Sequence, residues 1–310
     1  MLKLLSKVAC VSAIALSCTA TIERAQAAES GFSIYPLGSL GFGAGATPPP
    51  GFYFTSAIGY YKGIIQANNL IGGVGTLGLD VKFLQSQYNF LYVPATQFLG
   101  GQLGLSVNIP AGCVNLDAAI VFVRSRSESV SGCGFGDMWA RAQLGWHLGD
   151  FSHTIYVTGF APTGRYDVGF NPNIGLNRPA VDVTWAASWL ERTTGIEFSG
   201  AAGFTFNAEN TATQYKSGDE FHFEWAVGKK FGALQLGFAG YHYWQVTGDS
   251  GPGATLGPFR GQVNAAGPAA SYVTKIVDHI VIFNARIYFE YDAKNRFEGS
   301  TSLASATVRF

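Results

Sequence analysis

Long apolar runs are missing from this 310-residue sequence beyond its first thirty positions. The longest apolar stretches there, such as Ile280–Phe283, span a few residues, whereas a membrane-spanning helix needs about 20. Charged residues are also scarce, at 13% of the chain against a usual share of about 25%. So few charges would leave a soluble protein with too little polar surface. Because only helices and closed barrels satisfy their backbone polar groups in lipid, a membrane protein with this sequence must be a barrel.

The sequence also lacks an excess of charge of either sign, and it lacks clusters of metal-ligating residues. The formal net charge is zero, so nothing indicates a nucleic-acid partner. None of the five histidines stands at ligand spacing from a cysteine, so we expect no metal site and no cofactor. Four cysteines occur in the chain, of which Cys10 and Cys18 lie in the first thirty residues. Cys113 and Cys133 either form a disulfide in an oxidising compartment or serve as two unpaired small apolar residues.

The first 27 residues have the three regions of a secretory signal peptide. Lys3 and Lys7 form a positive start, residues 8–22 are mostly apolar or small, and Ala25-Gln26-Ala27 has the form of a signal-peptidase site. We therefore expect residues 1–27 to be removed on export. Residues 28–50 are rich in glycine and proline, and they could form a rim segment, a first strand or a plug inside the lumen.

Residues 51–310 show alternating apolar and polar positions separated by turns, which is a strand signature. Between Val181 and Trp189, odd-numbered residues are apolar, whereas Asp182, Thr184 and Ser188 occupy even positions. A β-sandwich would alternate in the same way, but its strands usually run five or six residues and these segments are longer. Their apolar faces are rich in aromatics, as in the girdles of outer-membrane barrels. The pattern predicts an all-β, antiparallel up-and-down transmembrane barrel of about 12 strands, or 14, in the bacterial outer membrane.

Short and long connections alternate along the chain. Tight turns are expected at Gly149-Asp150, Arg192-Thr193-Thr194 and Gly232, and longer polar loops at Thr163–Ala180, Ala208–Gly218 and Gly248–Phe259. This alternation is typical of barrels with short periplasmic turns and long external loops.

The sequence ends on Phe310, after Ala304, Ala306 and Val308 on the same face. This end resembles the terminal strand that the outer-membrane insertion machinery recognises, so that machinery and the lipid bilayer are expected partners.

Polar residues on the inward faces are candidates for lining the lumen, where pore diameter and lining groups determine selectivity. Trp139, Tyr241, Tyr243 and Tyr288 share these faces and could hold an aromatic solute. The lumen-lining candidates are Arg141, Gln143, His147, Asp182, Glu197, Glu220, His222, Glu224, Asn284, Arg286 and Glu290.

Catalysis has little support in the sequence. A hydrolase needs a nucleophile, a base within reach and an orienting group, and no Gly-x-Ser-x-Gly elbow occurs. His222 between Glu220 and Glu224 is the one acid-rich cluster that contains a histidine, and a lumen wall explains it as well. We expect no enzyme and no catalytic residues. A lipid hydrolase and a structural or adhesive barrel remain the alternatives to a channel.

Local motifs across nearly the whole mature chain resemble the outer-membrane family named for the meta-pathway of phenol degradation. They are Pro48-Pro49-Pro50-Gly51-Phe52-Tyr53, Gly136-Asp137, Gly145-Trp146-His147-Leu148-Gly149, Pro162-Thr163-Gly164-Arg165-Tyr166-Asp167, Asn207-Ala208-Glu209-Asn210, residues 213–222, and Gly240-Tyr241 with Gln245, Thr247, Asp249 and Ser250. The resemblance implies a transporter-like barrel that takes up small hydrophobic or aromatic compounds. This implication is an analogy at the level of the fold.

Overall fold

The computed structural model describes residues 31–70, 75–121, 125–168, 172–255 and 257–310, and the predicted signal peptide lies outside them. Within these ranges, no helix is long and apolar enough to span a membrane. The described residues form fourteen strands: β1 (Gly51–Leu70), β2 (Gly75–Val93), β3 (Gln97–Phe98), β4 (Gly101–Val121), β5 (Ser125–Phe135), β6 (Trp139–Leu148), β7 (Phe151–Phe160), β8 (Ala180–Leu190), β9 (Ile196–Asn207), β10 (Glu220–Phe231), β11 (Leu234–Gln245), β12 (Gln262–Ile276), β13 (His279–Lys294) and β14 (Glu298–Arg309).

Twelve of these strands close into one antiparallel barrel. Pairing runs from β1 through β14 down to β6 and β4, and the pairing of β2 with both β1 and β4 closes the ring. The two-residue β3 pairs only with the start of β4, and β5 pairs only with β4. The predicted all-β transmembrane barrel of 12 strands is confirmed. Closure pairs each of the twelve strands with a neighbour on both sides, as lipid requires, whereas β5 pairs along one edge alone among the described residues.

The wall is interrupted between β5 and β6. Residues 111–121 of β4 pair with β5, and residues 102–108 pair with β6, so Gly136, Asp137 and Met138 break one long line of pairing. At this break the Asp137 carboxylate accepts hydrogen bonds from the backbone amides of Gly164, Leu176 and Asn177. One side chain therefore holds both ends of the loop between β7 and β8 against the wall.

Side chains alternate across the wall as the sequence predicts. In β8, Val181, Val183, Trp185 and Trp189 are exposed on the outside, whereas Asp182, Thr184, Ala186 and Ser188 are buried inside. The same holds for most of β13, although Val281 shares the outward parity and is buried where it pairs with Thr274 and Val308. Exposed Phe, Trp, Leu, Ile and Val side chains cover the exterior. A surface of this kind is stable in hydrocarbon and costly in water.

Connections match the predicted alternation. Tight turns occupy residues 149–150, 191–195, 232–233 and 277–278, while longer segments at 161–179, 208–219 and 246–261 join the strands at the opposite end.

Cys113 and Cys133 are directly paired residues of β4 and β5, and they form a disulfide with Cα atoms 4.1 Å apart. The bond ties this hairpin together at a solvent- or lipid-exposed position.

Residues 31–50 form no strand and lie inside the barrel. Phe32 stacks on Phe297 with ring centroids 5.4 Å apart, and Leu37 and Phe42 pack against a buried cluster around Tyr241 and Tyr288. Gly45 passes so close to the wall that a Cβ atom there would lie 2.5 Å from Ala187 Cα. The hydrophobic core of this protein is therefore the contact between the N-terminal segment and the inner wall. We call residues 31–47 the lumenal segment.

Candidate functional site

The lumen contains a cavity of about 530 Å³ beside the lumenal segment. One side of the cavity is the segment itself, and the other side is formed mainly by residues of β1, β2, β4, β6, β13 and β14, together with Tyr241 of β11 and residues of the connecting loops. Its lining mixes apolar and aromatic side chains with polar groups, as in sites for small organic molecules. Representative lining residues are Phe32, Tyr35, Phe83, Leu91, Asn108 and Trp139.

The lumenal segment covers a wall formed by β8, β9 and β10. Ser33 Oγ donates to Glu220 at 2.7 Å, Leu40 N donates to Glu224 at 2.7 Å, and Gly43 N donates to Glu197 at 2.5 Å. Gly45 N donates to Ser188 Oγ at 2.9 Å. Buried carboxylates are costly unless they accept hydrogen bonds, and here backbone amides of the segment supply much of that compensation. We call this surface the covered wall.

A buried polar cluster anchors the first part of the lumenal segment, around Phe32 and Tyr35. His222 Nε2 lies 2.8 Å from an Asp182 carboxylate oxygen, and the Tyr35 ring stacks on the His222 ring with centroids 3.6 Å apart. Arg178 and Glu220 form a fully buried ion pair at 3.2 Å. Arg178 also donates to Ser217 Oγ and to the carbonyl of Phe32. These contacts fix the ends of the loops at residues 161–179 and 208–219, the wall and the segment relative to one another.

The surface opposite the covered wall faces the cavity and carries the cationic side chains of Arg141 and Arg286. We call this surface the open wall. Arg141 donates from Nε to Thr158 Oγ1 at 2.8 Å, and its guanidinium carbon lies 4.8 Å from the centroid of Trp139 and 5.1 Å from that of Tyr156. Arg286 donates from Nη1 to the carbonyls of Gly38 and Ser39, each at 2.9 Å. Arginine stacked on aromatic faces keeps its charge and its planar donors.

The carboxylates around the cavity already have donors. Glu290 accepts hydrogen bonds from Tyr61 Oη, Tyr241 Oη and the amide of Gly299, each at 2.7–2.8 Å. Asp137 accepts hydrogen bonds from the three backbone amides described above. Hydrogen bonding to a charged carboxylate stabilises it locally and reduces its capacity to bind further cations. These two carboxylates of the cavity therefore have little capacity left for a cationic solute.

The predicted lumen-lining residues separate into two groups. Five line the cavity: Arg141, Gln143, Asn284, Arg286 and Glu290. The remaining six contact the lumenal segment or other buried groups: His147, Asp182, Glu197, Glu220, His222 and Glu224. His147 donates to the carbonyl of Thr47 at 2.9 Å and so lies beside the segment's lower end. All eleven have inward backbone positions, but fewer than half face open space.

Two features of the site were missing from the sequence-based set. Tyr35 comes from the segment, whose residues show no strand period. Asn108 is 1% exposed and lies on β4, where its parity with Ser106 could have placed it inside. Across the described ranges no group of three or more His, Cys, Asp or Glu side chains could hold a metal ion.

Comparisons with known proteins agree with this architecture. The family profile described as "Putative MetA-pathway of phenol degradation" matches residues 66–305. The crystal structure of an outer-membrane channel from Pseudomonas putida F1 superimposes with a TM-score of 0.63 at 14% identity, covering 86% of this chain and 97% of that one. The structure of the CymD monoaromatic hydrocarbon channel gives a TM-score of 0.42 at 10% identity, covering 85% and 89%. No curated protein sequence matches significantly. The chain is an outer-membrane β-barrel.

Proposed function

Because the chain belongs to the family described as "Putative MetA-pathway of phenol degradation", we propose that it is a channel that passes small aromatic compounds through its lumen. The observation that carries this proposal is the cavity of about 530 Å³ between the lumenal segment and the open wall. The cavity lies inside a closed barrel, so a solute within it is separated from lipid. The similar barrel from Pseudomonas putida F1 is itself named a channel.

The chemistry of the cavity suits an aromatic solute. Trp139 and Phe83 offer ring faces and edges, Leu91 offers an apolar surface, and Asn108 offers an amide. Aromatic pairs in offset or edge-to-face arrangements contribute about 0.5–1.5 kcal/mol beyond the area that they bury. A mixture of ring contacts and a few polar groups provides both affinity and orientation.

The lumenal segment has a proposed role as a plug. Residues 28–50 would form one functional unit with the barrel of residues 51–310, and residues 1–27 would be the signal peptide removed before assembly. The segment narrows the lumen and forms one side of the cavity, so it determines which solutes enter. Phe310 at the end of the last strand remains a proposed signal for the insertion machinery.

We propose further that the chain is not an enzyme. Among the residues that the structure describes, the one acid–histidine contact of catalytic type joins His222 and Asp182, both of which are at most 1% exposed. The Tyr35 ring covers His222, so no substrate reaches the imidazole. A lipid hydrolase would need that group at the surface. The barrel of the similar structure is a channel as well.

Uptake by intact cells tests the channel directly. Cells with an intact lipopolysaccharide layer would express the chain, and the initial uptake of radiolabelled phenol at low concentration would be measured. We expect expression to raise the rate several-fold. Ser106→Trp places an indole in the cavity and should abolish the increase, whereas Leu105→Trp changes the adjacent outward position and should retain it.

Folding is checked by heat-modifiable migration in electrophoresis for each variant. An unchanged uptake rate on expression of a folded barrel would contradict the channel and favour a structural or adhesive barrel. Equal rates for Ser106→Trp and Leu105→Trp would show that solute does not pass through this cavity. Release of fatty acid from phospholipid, lost on His222→Ala, would instead identify a hydrolase.

A further inference from the structure

The two walls of the lumen differ in what their charges contact. On the covered wall, Glu197, Glu220 and Glu224 receive donors from the lumenal segment. On the open wall, Arg141 uses only Nε, and its two terminal nitrogens have no hydrogen-bond acceptor among the described residues. A guanidinium presents five donors in a planar fork that matches a carboxylate. The cavity therefore contains an unused bidentate donor.

No nearby carboxylate of the wall is available to neutralise Arg141. Along the same register, Thr158 separates Arg141 from Asp182. Asp182 is occupied by His222, Thr184 and Thr205. The cavity-lining Asp137 and Glu290 each accept three donors, as described above. Charges in a lumen of low dielectric interact strongly with a solute, so the open wall attracts anions.

Asn108 provides a second, independent observation. This side chain is 1% exposed and lines the cavity, yet neither its amide nitrogen nor its amide oxygen has a hydrogen-bond partner within the described chain. Burying an amide without a partner costs about 1–3 kcal/mol in proteins. Asn108 lies two residue pairs from Arg141 in the ladder and on the same face, because Asn108 pairs with Trp139 and Ser106 pairs with Arg141. A bound polar group would satisfy both side chains.

We propose that this cavity binds an aromatic monocarboxylate, with the carboxylate on Arg141 and Asn108 and the ring against the apolar part of the lining. The inference rests on the proposed channel function and names its substrate class. The Arg141 fork donates two hydrogen bonds to the carboxylate, and the Asn108 amide donates a third. Leu91, Phe83 and Leu176 border the same cavity and provide the apolar surface for the ring.

The geometry favours an acid over a neutral aromatic compound. A neutral ring would leave both the Arg141 terminal nitrogens and the Asn108 amide unsatisfied in the bound state. Trp139 and Tyr156 stack on the Arg141 guanidinium, which holds the fork in place without neutralising its charge. Pre-organised donors lower the entropic cost of binding. Selectivity between an acid and its neutral analogue therefore depends on Arg141.

Calorimetric titration of the full detergent-solubilised chain with benzoate and with benzamide tests the inference. The pH is kept well above the pKa of benzoic acid, so the two probes share size and shape but differ in charge. We expect wild-type protein to bind benzoate at least about tenfold more tightly than benzamide, in line with charge-assisted hydrogen bonding. Arg141→Gln should remove this preference, and benzamide affinity should stay within about twofold. Asn108→Asp should weaken benzoate binding by like-charge repulsion.

The matched control is Arg192→Gln, which removes an arginine from an exposed turn and should leave the preference intact. Equal affinity for the two probes in wild-type protein, or a preference that survives Arg141→Gln in a folded barrel, would overturn the carboxylate site. If expression raises phenol uptake but the calorimetric preference is absent, the channel stands and this inference fails. If uptake does not rise and benzoate still binds selectively, the site stands and transport fails.

Discussion

The covered wall and the open wall belong to the same barrel and have the same alternating sequence pattern, yet their inward charged side chains differ in burial and in role. Strands β8–β10 place Asp182, Glu197, Glu220 and Glu224 inward, and all four are at most 2% exposed. The open wall places Arg141 and Arg286 inward, and both remain partly exposed to the cavity. The difference arises from the lumenal segment, which donates hydrogen bonds to the acids of the covered wall and leaves the terminal nitrogens of Arg141 on the open wall without an acceptor among the described residues.

This contrast shows that inward parity alone does not make a residue part of the pore. Backbone amides are donors, so a segment without regular structure packs best against a wall of acceptors. The acids of the covered wall are therefore structural. On the open wall, Arg286 donates to carbonyls of the segment, and Arg141 keeps its terminal nitrogens available to a solute. From this distribution of charge between the two walls we expect the lumen to favour anionic solutes.

Deletion of residues 31–47 should have the largest effect on this contrast. Without the segment, both walls face water and the four buried acids become part of the pore. We expect single-channel conductance in planar bilayers to rise several-fold and the reversal potential in a salt gradient to shift toward cation selectivity. A deletion variant with unchanged conductance and selectivity would show that the segment does not occupy the lumen.

Tyr35→Ala should weaken the contact between the segment and the covered wall. The variant removes a 1%-exposed ring that stacks on His222, and truncation of a buried aromatic costs about 3–5 kcal/mol. We expect faster hydrogen exchange at the Leu40, Gly43 and Gly45 amides, which donate to that wall, with the strand amides unaffected. Tyr60→Ala removes a ring from the outward face and serves as the control. Equal protection in both variants would contradict the anchoring role.

The barrel could be predicted well from the sequence because the alternation that marks a strand is contained in a short stretch of residues. In β8 the alternation from Val181 to Trp189 is enough to assign each side chain to lipid or lumen, and glycine and polar runs mark the connections. The position of residues 31–50 could not be deduced, since this segment shows no period and many of its partners are distant in sequence, as Ser188 is from Gly45. The division of the lumen candidates into covered and open sets depends on that segment and was equally inaccessible.

Removal of the disulfide should have the smallest effect on the two walls. The bond between Cys113 and Cys133 closes a hairpin with a sequence separation of 20 residues, and loops of this size give about 3 kcal/mol in the chain-entropy account. We expect the double Cys→Ser variant to unfold at lower denaturant concentration, with phenol uptake almost unchanged, because neither cysteine lines the cavity. Uptake that collapses in a folded variant would place the hairpin in the solute path.

Thiol accessibility tests the difference between the walls most directly. Ser305→Cys introduces a thiol on the open wall, where Ser305 lines the cavity, and Ser188→Cys introduces one on the covered wall, beneath Gly45. A small charged methanethiosulfonate reagent would be applied to each folded variant, with Cys113 and Cys133 kept oxidised. We predict rapid labelling at position 305 and labelling at least about a hundredfold slower at position 188, where reaction requires the segment to open. Equal rates at the two positions would contradict the account, because both walls would then face the same open lumen.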